Sequence, residues 1–329
     1  MQDPALIEPI PFHSILSDVV LDFSLYTHAD KDASSRYKKL VDKGSMLNSG
    51  IRAALLYKSN DALFIRTEER PAYIAYLGDN FESIQAQNDA PLEKKAAFLY
   101  QSAATMMESI FAQPMASNNL KKSQAVVAGT IKMVMGDENA LLALIQASDH
   151  HYTLFTHSMD VAIYAIGLGH FMGLDEERLG KLGFAALMHD IGKVKIPPKV
   201  IDKPGPLDAY EFDMVKMHSH YSYNIVKQFG QRDPEILEGI KYHHERIDGT
   251  GYPDRLTGDE IPLFGKILAI CDGYGAISTR TCYHEAHSSF EALSIMKKEM
   301  AGAYDPQLLQ MFIRFLGSLL VEKKPKKSE

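Results

Sequence analysis

From about Asn88 to residue 320 the chain carries no strand-like alternation, and its apolar residues recur at helical spacing instead. That pattern restricts the larger part of the protein to an all-α arrangement. The earlier stretch reads differently. Val19 to Tyr26 is rich in β-formers, and Ala53 to Tyr57 and Ala62 to Arg66 flank Ser59-Asn60-Asp61, which predicts a hairpin. Ala72 to Leu77 fits either another strand or the start of a helix. The expected fold class is therefore multidomain: a small N-terminal α/β domain followed by an all-α helical bundle.

Helices are predicted over Pro91–Phe111, Lys121–Met135, Glu138–Ala147, Tyr152–Phe171, Glu176–Leu187, Leu207–Phe229 and Pro234–His244. Gly and Pro clusters mark the loops between them, including Lys203-Pro204-Gly205-Pro206 and Asp248 to Pro253. The expected division is residues 1–88 as a small N-terminal domain, 89–149 as connecting helices, 150–320 as the main helical bundle and 321–329 as a lysine-rich disordered tail. The helices between 90 and 147 are candidates for a homodimer interface.

Two aspartates sit where a carboxylate is expensive. Asp190 follows Phe184-Ala185-Ala186-Leu187-Met188-His189, and Asp272 follows Ile267-Leu268-Ala269-Ile270-Cys271. A carboxylate among apolar side chains must be paired or must ligate a cation. Histidines supply the other half of such a site: nine of the 13 fall between His150 and His244. His157, flanked at helical spacing by Leu154, Val161 and Ala165, points to the core side. His218, His243 and His244 lie on or at the ends of predicted helices. His150, His151, His170 and His220 read as ordinary surface residues.

The candidate ligands in chain order are His157, His189, Asp190, His218, His243, His244 and Asp272. Nitrogen and carboxylate donors without thiolate suit iron, manganese or zinc. Seven donors exceed what one tetrahedral ion needs and suit two divalent transition metals, with Asp190 as the bridging carboxylate. Such a pair generates hydroxide at neutral pH and clamps the attacking and leaving oxygens of a phosphate ester. Cys271, next to Asp272 on a helix, projects about 100° away. Neither Cys271 nor Cys282 fits a disulfide framework or zinc-finger spacing.

The ordered set of HDIGK at 189–193, KPGPL at 203–207, KMH at 216–218, HHERIDGTGYP at 243–253 and the Asp272 segment resembles the HD-GYP family of the HD-domain superfamily. The resemblance covers roughly residues 150–315 and implies an HD-type helical bundle. It implies an enzyme that hydrolyses cyclic di-GMP to pGpG, with onward cleavage to GMP, at a two- or three-metal site holding iron or manganese. It assigns the seven donors above as metal ligands. It gives Lys193 a catalytic role, stabilising phosphate charge, and gives Tyr252 contact with substrate. Glu245 and Arg246 are expected to brace the loop.

Three departures from the family pattern bear on the site. Thr153 stands where many members carry a glutamate, so two metals are expected. Gly275 replaces a second aspartate. Thr281, Cys282, Tyr283 and His284 replace an Arg-Pro-Tyr segment and the basic residue after it, with Arg280 and His284 as the substitute substrate contacts. The last change supports a second reading, a cyclic di-GMP sensor or scaffold that keeps its dimetal site and turns over slowly. A third is an HD-type phosphohydrolase acting on another cyclic dinucleotide or nucleotide.

A net charge of -7 and a pI near 6.0 argue against a polymeric nucleic-acid partner. No apolar run is long enough for a bilayer, and the acidic, Pro-interrupted N-terminus is unlike a signal peptide. A cytoplasmic protein is the expectation.

Overall fold

The computed structural model describes residues 7–29, 37–57, 62–86, 90–148, 153–279 and 287–321. They form two compact units, within residues 1–106 and 107–329.

In the first unit, β1 (Ile7–Pro11), β2 (Leu25–His28), β3 (Tyr37–Val41) and β4 (Ala62–Arg66) make an antiparallel sheet of order β1-β4-β2-β3. β1 pairs with β4 from Ile7↔Arg66 to Pro11↔Ala62, and β2 pairs with β3 with a shift between Leu25 and Tyr26. Helices α1 (Ser49–Tyr57) and α2 (Arg70–Ala86) complete the α/β pattern, and α3 (Leu92–Ala112) follows. Phe23 packs edge-on against Tyr73 and Tyr76 of α2 in a core shared with Leu25, Leu63 and Ile65.

The turn Ser59-Asn60-Asp61 of the predicted hairpin lies outside the described residues, and its two flanking segments do not pair as strands. Ala53–Tyr57 belongs to α1, and β4 pairs with β1 and β2 instead. Short apolar runs carry no decisive period, and the alanines and leucines here are strong helix formers.

The second unit is helical: α4 (Asn119–Gly136), α5 (Ala140–Ala147), α6 (Leu154–Phe171), α7 (Glu176–Met188), α8 (Pro198–Ile201), α9 (Ala209–Lys216), α10 (His218–Gln228), α11 (Pro234–Lys241), α12 (Leu263–Ser278), α13 (Ser289–Lys298) and α14 (Pro306–Val321). α6 packs on α7 and α12, and α7 packs on α4 and α11. From α14, Phe312 meets Tyr164 of α6 and Tyr274 of α12.

Helix starts follow local chemistry. Asp175 accepts the Arg178 N–H at the head of α7, with Glu176 and Glu177 in its positive first turn. Thr153 caps α6 in a reciprocal box with Thr156. The residue that departs from the family glutamate is therefore a helix cap. The single helix expected over Leu207–Phe229 is broken into α9 and α10 at Met217, and the helix expected to reach His244 stops at Lys241.

Candidate metal centre

Both helix breaks, and the end of α7, have the same cause. His189 Nδ1 lies 2.7 Å from the Ala186 carbonyl, His218 Nδ1 2.6 Å from that of Val215, and His243 Nδ1 2.6 Å from that of Ile240. Each ring takes a carbonyl three residues back, in a last helical turn where carbonyls lack an intrahelical partner. A carbonyl only accepts, so each Nδ1 carries the hydrogen. In the neutral ring Nε2 is then a bare lone pair facing inward, the orientation a metal-ligating histidine needs.

Five chain segments converge at this point. α6 brings His157, the C-terminal end of α7 brings His189 and Asp190, and the start of α10 brings His218. The turn after α11 brings His243 and His244, and α12 brings Asp272. The donor atoms fall into two groups, one of Asp190, His218, His243 and His244 and one of His157, His189 and Asp272. All seven predicted ligands are thus brought together. Cys271 is buried and joins neither group. The negative C-terminal ends of α7 and α11 point here, which favours cations.

Asp190, fully buried, spans the two groups. Its Oδ1 is 3.3 Å from His218 Nε2, and its Oδ2 is 3.4 Å from His189 Nε2 and 4.0 Å from His157 Nε2. Asp272 spans them too, with Oδ1 2.9 Å from His157 Nε2 and 3.7 Å from His189 Nε2, and Oδ2 3.8 Å from His244 Nδ1. Ligands at ~2.1 Å from one ion are about 3.0 Å apart at right angles and about 4.2 Å apart when opposed. The observed spacings lie almost wholly in that interval.

The chemistry of the donor set calls for a cation. His218 Nε2 and His243 Nε2 face each other at 3.2 Å. His189 Nε2 and Asp190 Oδ1 are buried without a hydrogen bond. Burial drives His218 down to about 4 and His243 well below the usual imidazole range, so neither carries the charge. Burial, against the pull of Asp272, drives His244 to about 3. Burial also opposes charge on His189, but the Asp190 and Asp272 carboxylates outweigh it and lift the ring to about 10. Burial alone would raise Asp190; Lys193, His189 and His218 hold it well below the carboxylate range. Asp272 behaves likewise, held down by His157 and His189. These residues fit divalent cations.

His243, His244 and Asp272 open onto a cavity of about 880 Å³ whose wall includes Tyr252, Phe212 and Tyr304. The Tyr252 ring lies 4.7 Å from the His244 ring. Lys193 is placed elsewhere: its Nζ is 2.5 Å from Asp190 Oδ2, and it lines a separate pocket of about 340 Å³ with Leu154, Val200 and Leu207. Glu245 braces the loop, accepting the Asp254 N–H at 2.6 Å and the Leu256 N–H at 3.1 Å. Arg280 and His284 lie outside the described residues.

Two glycines of the motifs are steric necessities. A Cβ on Gly192 would overlap the His218 carbonyl and the Ser222 amide, and one on Gly251 would overlap the backbone of Glu245 and Arg246. The carbonyls of Ala186, Val215 and Ile240, and the cavity residues Phe212, Arg255 and Tyr304, escaped the reading of motifs. The only sequence signal for the carbonyls is a position three residues before a ligand.

A sequence model described as HD domain matches residues 140–308, just over half of the chain. The chain belongs to the HD domain family. The HDIGK and HHERIDGTGYP stretches place this HD domain in the HD-GYP branch. Cyclic di-GMP phosphodiesterase PA4108 of Pseudomonas aeruginosa is 33% identical over 184 residues, 56% of this chain and 44% of that protein. The 3′3′-cGAMP-specific phosphodiesterase 2 of Vibrio cholerae is 33% identical over 158 residues, 48% of this chain and 30% of that protein. The chain thus spans less than half the length of these curated relatives. The solved structure of Bd1817, an HDG"Y"P protein from Bdellovibrio bacteriovorus, shares the fold: TM-score 0.66 at 20% identity, over 94% of this chain and 99% of that one. No helix among the described residues is long and apolar enough to cross a membrane.

Proposed function

We propose that this HD domain protein is a metal-dependent phosphodiesterase that hydrolyses cyclic di-GMP to linear pGpG, with slower onward cleavage to GMP. The observation that carries the reading is the pair of His/Asp groups spanned by Asp190 beside a cavity large enough for a dinucleotide. The curated relatives named for cyclic di-GMP and 3′3′-cGAMP support the substrate class.

His157, His189 and Asp272 would hold one ion, and His218, His243 and His244 the other, with Asp190 between them. Two divalent ions, iron first and manganese as the alternative, supply Lewis acidity and an acidified water. The chain's residues do the rest. The Nδ1–carbonyl bonds keep the imidazoles in the ligating tautomer. Lys193 keeps positive charge at Asp190, and Tyr252 offers a face or a hydroxyl to the nucleotide. In the reaction the oxygen of water bonds to phosphorus, the bond from phosphorus to the 3′ oxygen breaks, and that oxygen leaves with a proton. We assign residues 1–88 a regulatory role and 89–149 a connecting one, in a cytoplasmic protein.

The test is turnover by protein of known metal content. Iron- or manganese-loaded protein is expected to release pGpG, and Asp190→Ala is expected to lose metal and activity together. Fully loaded protein that binds cyclic di-GMP without cleaving it would make the chain a sensor or scaffold.

A further inference from the structure

A cyclic dinucleotide carries two phosphodiesters, and only one is cut at a time. The other brings a negative charge into the same cavity, where it needs a cation or water. Among the described residues, three lysines or arginines line that cavity: Lys216, Arg246 and Arg255. Lys216 Nζ is 2.8 Å from Asp213 Oδ1 and lies over the Phe212 ring. Arg246 Nη2 is 3.4 Å from Asp248 Oδ2. Arg255 has no acidic partner among the described residues.

The Arg255 backbone is independently unusual. Its φ is 58°, in the left-handed region that side chains other than Gly, Asn and Asp avoid. The other described non-glycine residue with positive φ is an aspartate, Asp18. The buried Glu245 carboxylate holds the residues on either side, accepting the backbone N–H groups of Asp254 and Leu256. The backbone suits glycine, yet the position carries the longest cationic side chain. Strain of this kind concentrates at ligand-gripping positions.

We propose that Arg255 grips the non-scissile phosphate of the bound cyclic dinucleotide, a specificity role that rests on the phosphodiesterase reading. The planar guanidinium fork matches two phosphate oxygens. The same fork also matches O6 and N7 of guanine, so the experiment separates the two.

Metal-loaded wild type, Arg255→Gly and Arg255→Lys would be compared on three substrates. These are cyclic di-GMP, its 7-deazaguanine analogue, which keeps both phosphates but lacks N7, and bis(p-nitrophenyl) phosphate, which has one phosphodiester. Arg255→Gly is expected to keep its metal content and melting temperature, because glycine accepts the backbone. It should cleave bis(p-nitrophenyl) phosphate normally. Its KM for cyclic di-GMP and for the analogue should rise equally, by about tenfold or more, with kcat within about twofold of wild type. Arg255→Lys should fall between.

An unchanged KM would overturn the proposal. So would a wild type already weakened by the deaza analogue together with an Arg255→Gly variant indifferent to it, which would assign the fork to guanine. Equal loss on bis(p-nitrophenyl) phosphate would mean that Arg255 acts on the metal groups. Wild type that cleaves the small diester but neither binds nor cleaves cyclic di-GMP would reject the parent reading, and this inference with it.

Discussion

His218 and His243 present their Nε2 atoms to each other at 3.2 Å while both Nδ1–H groups are committed to backbone carbonyls. With both rings neutral, two lone pairs face across a buried gap, an arrangement that repels unless a cation lies at it. Chelation is therefore expected to lower the melting temperature. Restoring iron or manganese at a hundred times Kd should return about 2.7 kcal/mol. Calorimetric melting of stripped and reloaded protein checks this; identical midpoints would refute it.

Protons compete with metal at His189. Its ring is raised from 6.5 to about 10 by Asp190 and Asp272 against the opposing effect of burial, so in the metal-free fold it holds a proton through neutral pH. That proton stabilises the metal-free fold below pH 6.5, and the contribution is lost as pH rises through about 10. A metal must displace it. Affinity is expected to climb with pH between 6.5 and 10, by up to about tenfold per unit, with about one proton released from His189 at pH 8. Calorimetry in two buffers of different ionisation enthalpy counts the protons; a pH-independent affinity would contradict the assignment.

Lys193 touches the site through Asp190 rather than through the cavity wall. Lys193→Ala is expected to reduce turnover about 10–100-fold with metal content unchanged. The acid limb of the pH–rate profile should move to higher pH, because Asp190 loses the cation that lowers it most. Wild-type turnover, or a loss of metal, would deny Lys193 this positioning role.

Gly192 packs directly against the backbone at the start of α10 and donates its N–H to Ser222 Oγ at 2.8 Å. Gly192→Ala is expected to push α10, and His218 with it, away from the site at a cost of ~3 kcal/mol or more. Gly180→Ala, mid-helix in α7 with open space at its Cβ, should instead be neutral or stabilise by up to about 1 kcal/mol. Denaturant unfolding with metal stoichiometry tests the pair, and equal behaviour would sink the steric argument.

The sequence by itself determined the all-α character of the second unit, and it singled out the seven histidines and aspartates that the fold gathers into two groups. A carboxylate after an apolar helix run has few stable fates, and clustered histidines supply the complement. Asp190 and Asp272 were legible for that reason. Helix ends were not: Met217 and Lys241 look as helical as their neighbours. The breaks come from imidazoles taking the Val215 and Ile240 carbonyls, a choice made only once the rings have a site to face. Nor could α1 be told from a strand, since a short apolar run takes whichever partner the tertiary packing offers. The division of the donors into two groups, the placement of Lys193 behind Asp190 and the strained Arg255 at the cavity wall all arise from residues distant in the chain. No local pattern encodes those distances, so the tertiary structure alone decided them.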